Sequence, residues 1–135
     1  MIKDYDFFDE NGKKIFPNKI EFSDCVMSFP HGVSQALELE EKVFVRFAFS
    51  ENEVAGREEF QNVWCYRKPT SGKTESELLW KIEAPVNHRG EPYNLPYYTL
   101  RWSKQKNAIY VANDAFGYTV DHETGHITLV ASGLR

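Results

Sequence analysis

Two histidines four residues apart, His122 and His126, with Glu123 between them, come nearest of any residues in this chain to a metal-ligand spacing. Two imidazoles at that interval hold one ion when both lie on one face of a helix. Thr124 and Gly125 intervene here, and they make a turn rather than a helix, so the pair reads as surface histidines at a hairpin end. The expectation is no metal and no cofactor. Ser71 to Thr74 spells SGKT, the close of a phosphate loop, but the glycine that must precede it is missing and no strand-loop-helix unit surrounds it. Glu58 and Glu59 are paired carboxylates in a charged run, where solvated side chains are the rule. His31 follows Pro30, and His88 lies among prolines. Neither has a local partner that would make a triad or a general base. Cys25 and Cys65 lack CxxC spacing and are expected to be free, buried thiols. No residue is nominated as catalytic, and the chain is expected not to be an enzyme.

The elements that would position any site follow from composition and period. A chain of 135 residues is most simply one domain, long enough to bury a core without disulfides or metal. Hydrophobic residues make up 41% and charged residues 27%, which excludes disorder. Ten Phe, seven Tyr and three Trp lean towards pleated, half-buried surfaces and hence towards β structure. Sixteen Lys and Arg stand against 20 acids, a net charge of −4, so a nucleic-acid backbone is not the expected partner. No run approaches the ~20 apolar residues of a membrane helix, and the N-terminal MIKDYDFFDENGKK has acids where a signal peptide needs an apolar stretch. No membrane association is expected, and the expected location is cytoplasmic.

Most of the sequence alternates with a period of two, and no stretch sustains a helical period over three turns. A turn is expected from Asp9 to Gly12, with extended pieces at Ile15, Ile20, Phe22 and Val26 to Phe29. Val33 to Leu39 and Val43 to Phe49 are expected to pair as a hairpin around Glu40 to Lys42, although SQALELEEK is rich in helix formers. The stretch NVWCYRKPTSGKTESELLWKIEAP gives two further strands, Val63 to Arg67 and Leu78 to Glu83. In these, Trp64 and Tyr66 share one face, Val63 and Cys65 the other, and Trp80 sits with Leu78 and Ile82. Pro85 to Pro96 reads as a loop. Tyr97 to Trp102, Ala108 to Asn113, Phe116 to Asp121 and His126 to Val130 read as an antiparallel meander, with Gly125 supplying positive φ at its last turn. The fold class expected is all-β, an antiparallel β-sandwich or flattened β-barrel with a C-terminal meander and little helix.

NVWCYRK, LLWKIE and IYVANDAFGYTVDHETGHI together resemble a pattern of small bacterial all-β proteins with propeller-blade-like motifs, in which a "leu-Trp-x" strand and an "Asp-x-x-Thr-Gly" turn recur. The chain is too short for a propeller. Proteins of this look resemble immunity proteins encoded beside polymorphic toxins, including those of contact-dependent growth inhibition systems. That resemblance implies a binding protein whose partner is a cognate toxin protein. It assigns no catalytic residue, and it gives Trp80 a packing role and Asp121, Thr124 and Gly125 a turn.

Many such toxins cut nucleic acid and have basic clefts, which acidic clusters on an inhibitor would complement. Two runs qualify. Ser50 to Gln61 carries Glu51, Glu53, Glu58 and Glu59 against one arginine, and Asp114 to Glu123 carries Asp114, Asp121 and Glu123 with no Lys or Arg. These seven acids are the candidate partner-binding residues. The alternatives are a β-barrel enclosing a small apolar ligand, and an enzyme whose site is assembled only in space.

Overall fold

The computed structural model describes residues 2–48, 60–70 and 75–132. Eleven strands and no α-helix are found among the described residues, and no helix among them is long and apolar enough to cross a membrane. A five-stranded sheet contains β1 (Ile2–Asp6), β4 (Val33–Leu39), β5 (Lys42–Phe47), β6 (Val63–Arg67) and β7 (Glu77–Lys81), in the order β1-β4-β5-β6-β7. The meander is a second, four-stranded sheet of β8 (Thr99–Ser103), β9 (Ala108–Ala112), β10 (Phe116–Val120) and β11 (Ile127–Ser132), paired in sequence order. A hairpin of β2 (Lys19–Glu21) and β3 (Val26–Ser28) stands apart from both. Every pairing is antiparallel and neither large sheet closes into a barrel.

Two cores result, one on each face of the five-stranded sheet. Leu37, Phe44, Val63, Cys65, Trp80 and Ile82 meet Leu100, Ile109, Val111, Tyr118 and Val120 of the meander. On the opposite face Val33, Ala36, Val43, Val45, Phe47 and Tyr66 meet Ile20, Phe22, Met27 and Phe29 of the small hairpin and its flanks. The run Val43-Phe44-Val45 is therefore fully buried along its length, as a strand covered on both sides must be. The same double burial explains why SQALELEEK is not helical. Ala36 and Leu37 are wanted by opposite cores, and only a period of two sends adjacent residues to opposite faces.

Most expected elements are present, with three differences. β1 is a strand that the sequence did not announce, because Lys3, Asp4 and Asp6 interrupt its apolar pattern at an exposed sheet edge. The β4–β5 turn takes only Glu40 and Glu41, since Lys42 already pairs with Leu39. Leu78 does not join Trp80 and Ile82 in the core: the pairing of β6 and β7 shifts between Cys65 and Tyr66, which leaves Leu78 exposed. Trp64 and Tyr66 do share the face opposite Val63 and Cys65. Cys65 is buried, whereas Cys25 is only partly so, and both are free.

Side chains close the two ends of the main sandwich. Buried Asn62 donates to Phe47 O at 3.1 Å and to Tyr97 O at 2.9 Å, and accepts from Tyr97 N at 2.9 Å. Gln35 accepts from Leu100 N at 3.0 Å and from Arg46 Nε at 3.0 Å. At the other end Glu83 N donates to Gly125 O, and the Glu83 carboxylate accepts from Ile127 N at 2.8 Å. Trp80 Nε1 donates to His122 O at 3.0 Å, and its ring lies against Gly125.

Gly125 and Gly90 both have φ near +80°, but a Cβ at Gly125 would come within 2.6 Å of the Trp80 ring, while one at Gly90 meets nothing. Gly90→Ala is expected to cost about 1–2 kcal/mol from the backbone alone, and Gly125→Ala a further 1–3 kcal/mol or so from overpacking. Urea unfolding midpoints measure the difference; equal losses at both sites would mean that the indole moves aside freely.

Candidate functional site

Glu38 on β4 is 4% exposed, on the face that carries the small hairpin. A carboxylate buried this far must be surrounded by donors. Tyr5 Oη, from β1, donates to it at 2.7 Å. Ser23 Oγ, from the β2–β3 turn, and Lys68 Nζ, just beyond β6, both donate to its other oxygen. Lys68 also reaches Asp24 Oδ1 at 2.8 Å, and its backbone N–H is held by Glu41 O. Three separate parts of the chain are thus tied to one carboxylate.

Burial pushes the Glu38 carboxyl up, but hydrogen bonds from Lys68, Ser23 and Tyr5 outweigh it and hold the group down at about 2. Burial likewise works against the Lys68 ammonium, and the hydrogen bonds to Asp24 and Glu38 more than reverse it, raising its pKa. The Tyr5 phenol is raised by burial and by Glu38, and the Cys25 thiol by burial and by Asp24. Glu38 and Lys68 are thus held charged and Tyr5 and Cys25 held protonated, each pKa being moved further from pH 7. The hydrogen bonds and the ion pair of this cluster hold the Glu38 and Lys68 charges in place.

What it holds in place is a charged edge. A cleft of about 440 Å³ is lined by Lys3, Ser23, Asp24, Glu38, Glu40 and Lys68. A smaller one of about 130 Å³ is lined by Leu39, Glu40, Glu41, Lys42, His122 and Glu123. Glu40 belongs to both, so the β4–β5 turn joins them into one strip. It sits at φ 55°, a left-handed conformation in which glycine would be unstrained. Lys42 reaches Glu123 at 3.4 Å and so links this turn to the β10–β11 turn.

Of the acids singled out from the sequence, Glu51, Glu53, Glu58 and Glu59 lie outside the described residues, as does the SGKT stretch from Ser71 to Thr74. Asp121 and Glu123 stand together in the β10–β11 turn, where Asp121 Oδ1 accepts from Glu123 N at 2.8 Å. Asp114 precedes β10 while that pair follows it, so the strand separates them, and Asp114 instead accepts from Tyr93 Oη at 2.9 Å. His122 and His126 turn to different carboxylates, Glu123 at 3.6 Å and Glu83 at 3.2 Å. Among the described residues no three His, Cys, Asp or Glu side chains gather as a metal site. Sequence reasoning passed over Glu40, Glu41 and Asp24. The first two were legible as the tip of a hairpin, but nothing local connects Asp24 with them.

No family model, curated protein or solved structure matches this chain.

Because the Glu38 carboxyl lies lower in the folded chain than its ordinary 4.5, its contribution is complete above that value and disappears as pH falls towards about 2. Glu38→Gln is expected to lower stability at pH 7 by about 3 kcal/mol and to flatten the loss of stability between these two pH values. Denaturant titrations at a series of pH values test this; parallel pH curves for the two proteins would mean that another carboxylate governs acid unfolding.

Proposed function

We propose that this chain works by binding, as an immunity protein that neutralises a cognate toxin, and that the strip from Asp24 through Glu40 and Glu41 to Glu123 faces the toxin. The observation that carries this reading is Glu40. An acid occupies a backbone conformation where glycine would be unstrained, and the residue lines both clefts. Strain of this kind, of order 1–3 kcal/mol, is kept where a side chain is needed for something other than stability. Counting Glu40 itself, the two clefts are lined by five acids and three lysines, and two of those lysines, Lys42 and Lys68, are already paired with acids of the strip. The remaining field is negative, suited to a basic surface such as the phosphate-binding cleft of a nuclease toxin. Glu51, Glu53, Glu58 and Glu59 extend the proposal on sequence grounds, and the cytoplasm is the proposed place of action. The ligand-carrier alternative draws no support from the core, where Phe44, Tyr97 and Tyr118 are fully buried and Tyr97 packs edge-on against Tyr118 at 5.8 Å.

The partner is to be sought as the product of the neighbouring gene, by co-purification and by protection of cells that express it. Glu40→Gly is then expected to raise stability by about 1 kcal/mol, while Glu40→Lys combined with Glu41→Lys slows association about tenfold or more at low salt. A double reversal that binds and protects as well as the parent protein would remove the strip from the interface. A neighbouring gene that encodes no toxin would remove the immunity reading.

A further inference from the structure

Asn11 and Gly12 are the only asparagine and glycine adjacent in that order in the chain, and both are exposed at the tip of the N-terminal turn. An asparagine side chain in this position can be attacked by the next backbone nitrogen, because glycine has no Cβ to stand in the way. Space is open here: a Cβ placed on Gly12 would meet nothing within 4 Å. The Asn11 side chain makes no hydrogen bond among the described residues. Asn87 and Asn113 also stand at turns, but the Oδ1 atom of each is held by two backbone N–H groups. Buried Asn62 is bonded through both ends of its amide. One restraint acts on Asn11. Gly12 N, the attacking atom, donates to Asp9 O at 3.0 Å, and the Asp9 carboxylate keeps that turn closed by accepting from Asn11 N and Lys13 N, both at 2.9 Å.

We propose that Asn11 is a site of spontaneous deamidation, with the Asp9 turn as its gate. When the turn opens, Gly12 N loses its proton to solvent base and bonds to Asn11 Cγ. The bond from Cγ to the side-chain nitrogen breaks, and that nitrogen leaves as ammonia with a proton taken from water. A five-membered succinimide ring remains, and water opens it. Cleavage between Cγ and Gly12 N gives aspartate, while cleavage between the Asn11 backbone carbon and Gly12 N gives isoaspartate, in which the chain runs through the side chain. One amide and one water become one carboxylic acid and one ammonia, with no redox change. Either product places a new carboxylate beside Asp9 and Glu10, and isoaspartate also lengthens the backbone between Phe8 and Lys14, whose bridge closes the arm. Like charge and added length both oppose reclosing of the turn. This modification does not depend on the immunity reading.

The test is to age the full folded chain in neutral and in mildly alkaline buffer and to follow it by ion-exchange chromatography and peptide mass mapping. A more acidic form is expected to accumulate, with its mass change in the peptide that contains Asn11. It should form faster in the alkaline buffer, because the attacking nitrogen must lose its proton. Asn11→Gln is expected to abolish that form, since the longer side chain must close a larger ring, which is slower. Asp9→Ala removes the two carboxylate hydrogen bonds and is expected to speed the reaction about fivefold. The other asparagine peptides guard against an unfolded variant, which would react throughout: acceleration confined to Asn11 supports the gate, and acceleration at every asparagine or none at Asn11 rejects it. An acidic form that persists in Asn11→Gln overturns the site, as does an Asn11 peptide that stays intact in the folded chain while the same chain in urea converts.

Discussion

The buried side chain of Asn62 and the backbone of Tyr97 make the contact on which the two large sheets depend. A sandwich that does not close into a barrel leaves strand edges whose N–H and C=O groups need partners, and burying them unanswered costs a few kcal/mol each. Here the approach to β8 comes down against the five-stranded sheet, and side chains take the place of a neighbouring strand. Asn62 answers both the N–H and the C=O of Tyr97, Arg46 adds a longer contact to the same carbonyl, and Gln35 answers Leu100. Tyr97 then crosses the core, and its hydroxyl donates to Glu83 O at 2.7 Å, beside the contacts that close the other end. The Asn62 amide can do this because it offers donors and an acceptor on one short stem.

The opposite face uses charge where this one uses amides. The β2–β3 hairpin shares no strand pairing with the central sheet, and apart from its apolar contacts its turn is fixed by the Glu38 carboxylate through Ser23 and by Lys68 through Asp24. The arrangement that secures the hairpin also fixes Lys68, and Lys68 in turn orients Asp24 at the cleft mouth. Structure and candidate site are therefore built from the same ion pair. The pair fixes position, which suits the binding role proposed for this surface.

Much of the fold was legible because its strands are short and alternate, with turn residues between them. Gly125, the meander and the opposed faces of Trp64 and Cys65 all followed from period and turn chemistry. β1 was hidden because an edge strand carries charges that discourage further pairing, and those same charges erase its apolar signature. The exposure of Leu78 depends on a one-residue shift that no local pattern encodes. The site was less legible than the fold. Asp24, Glu38 and Lys68 are distant in sequence and meet only through the packing of the hairpin, and Asp114 and Asp121, near in sequence, are parted by the length of β10.

A sheet with a core on each side also governs how the molecule comes apart. The meander and the small hairpin do not touch the same face, yet each rests on β4 and β5, and neither core keeps its floor without them. Layers that share a floor lose their partners together. The chain should therefore unfold in one cooperative step, without an intermediate that keeps one core and sheds the other. The two-residue β4–β5 turn makes that floor the cheapest long stretch of sheet to close, and the place from which both halves would be assembled as the chain folds.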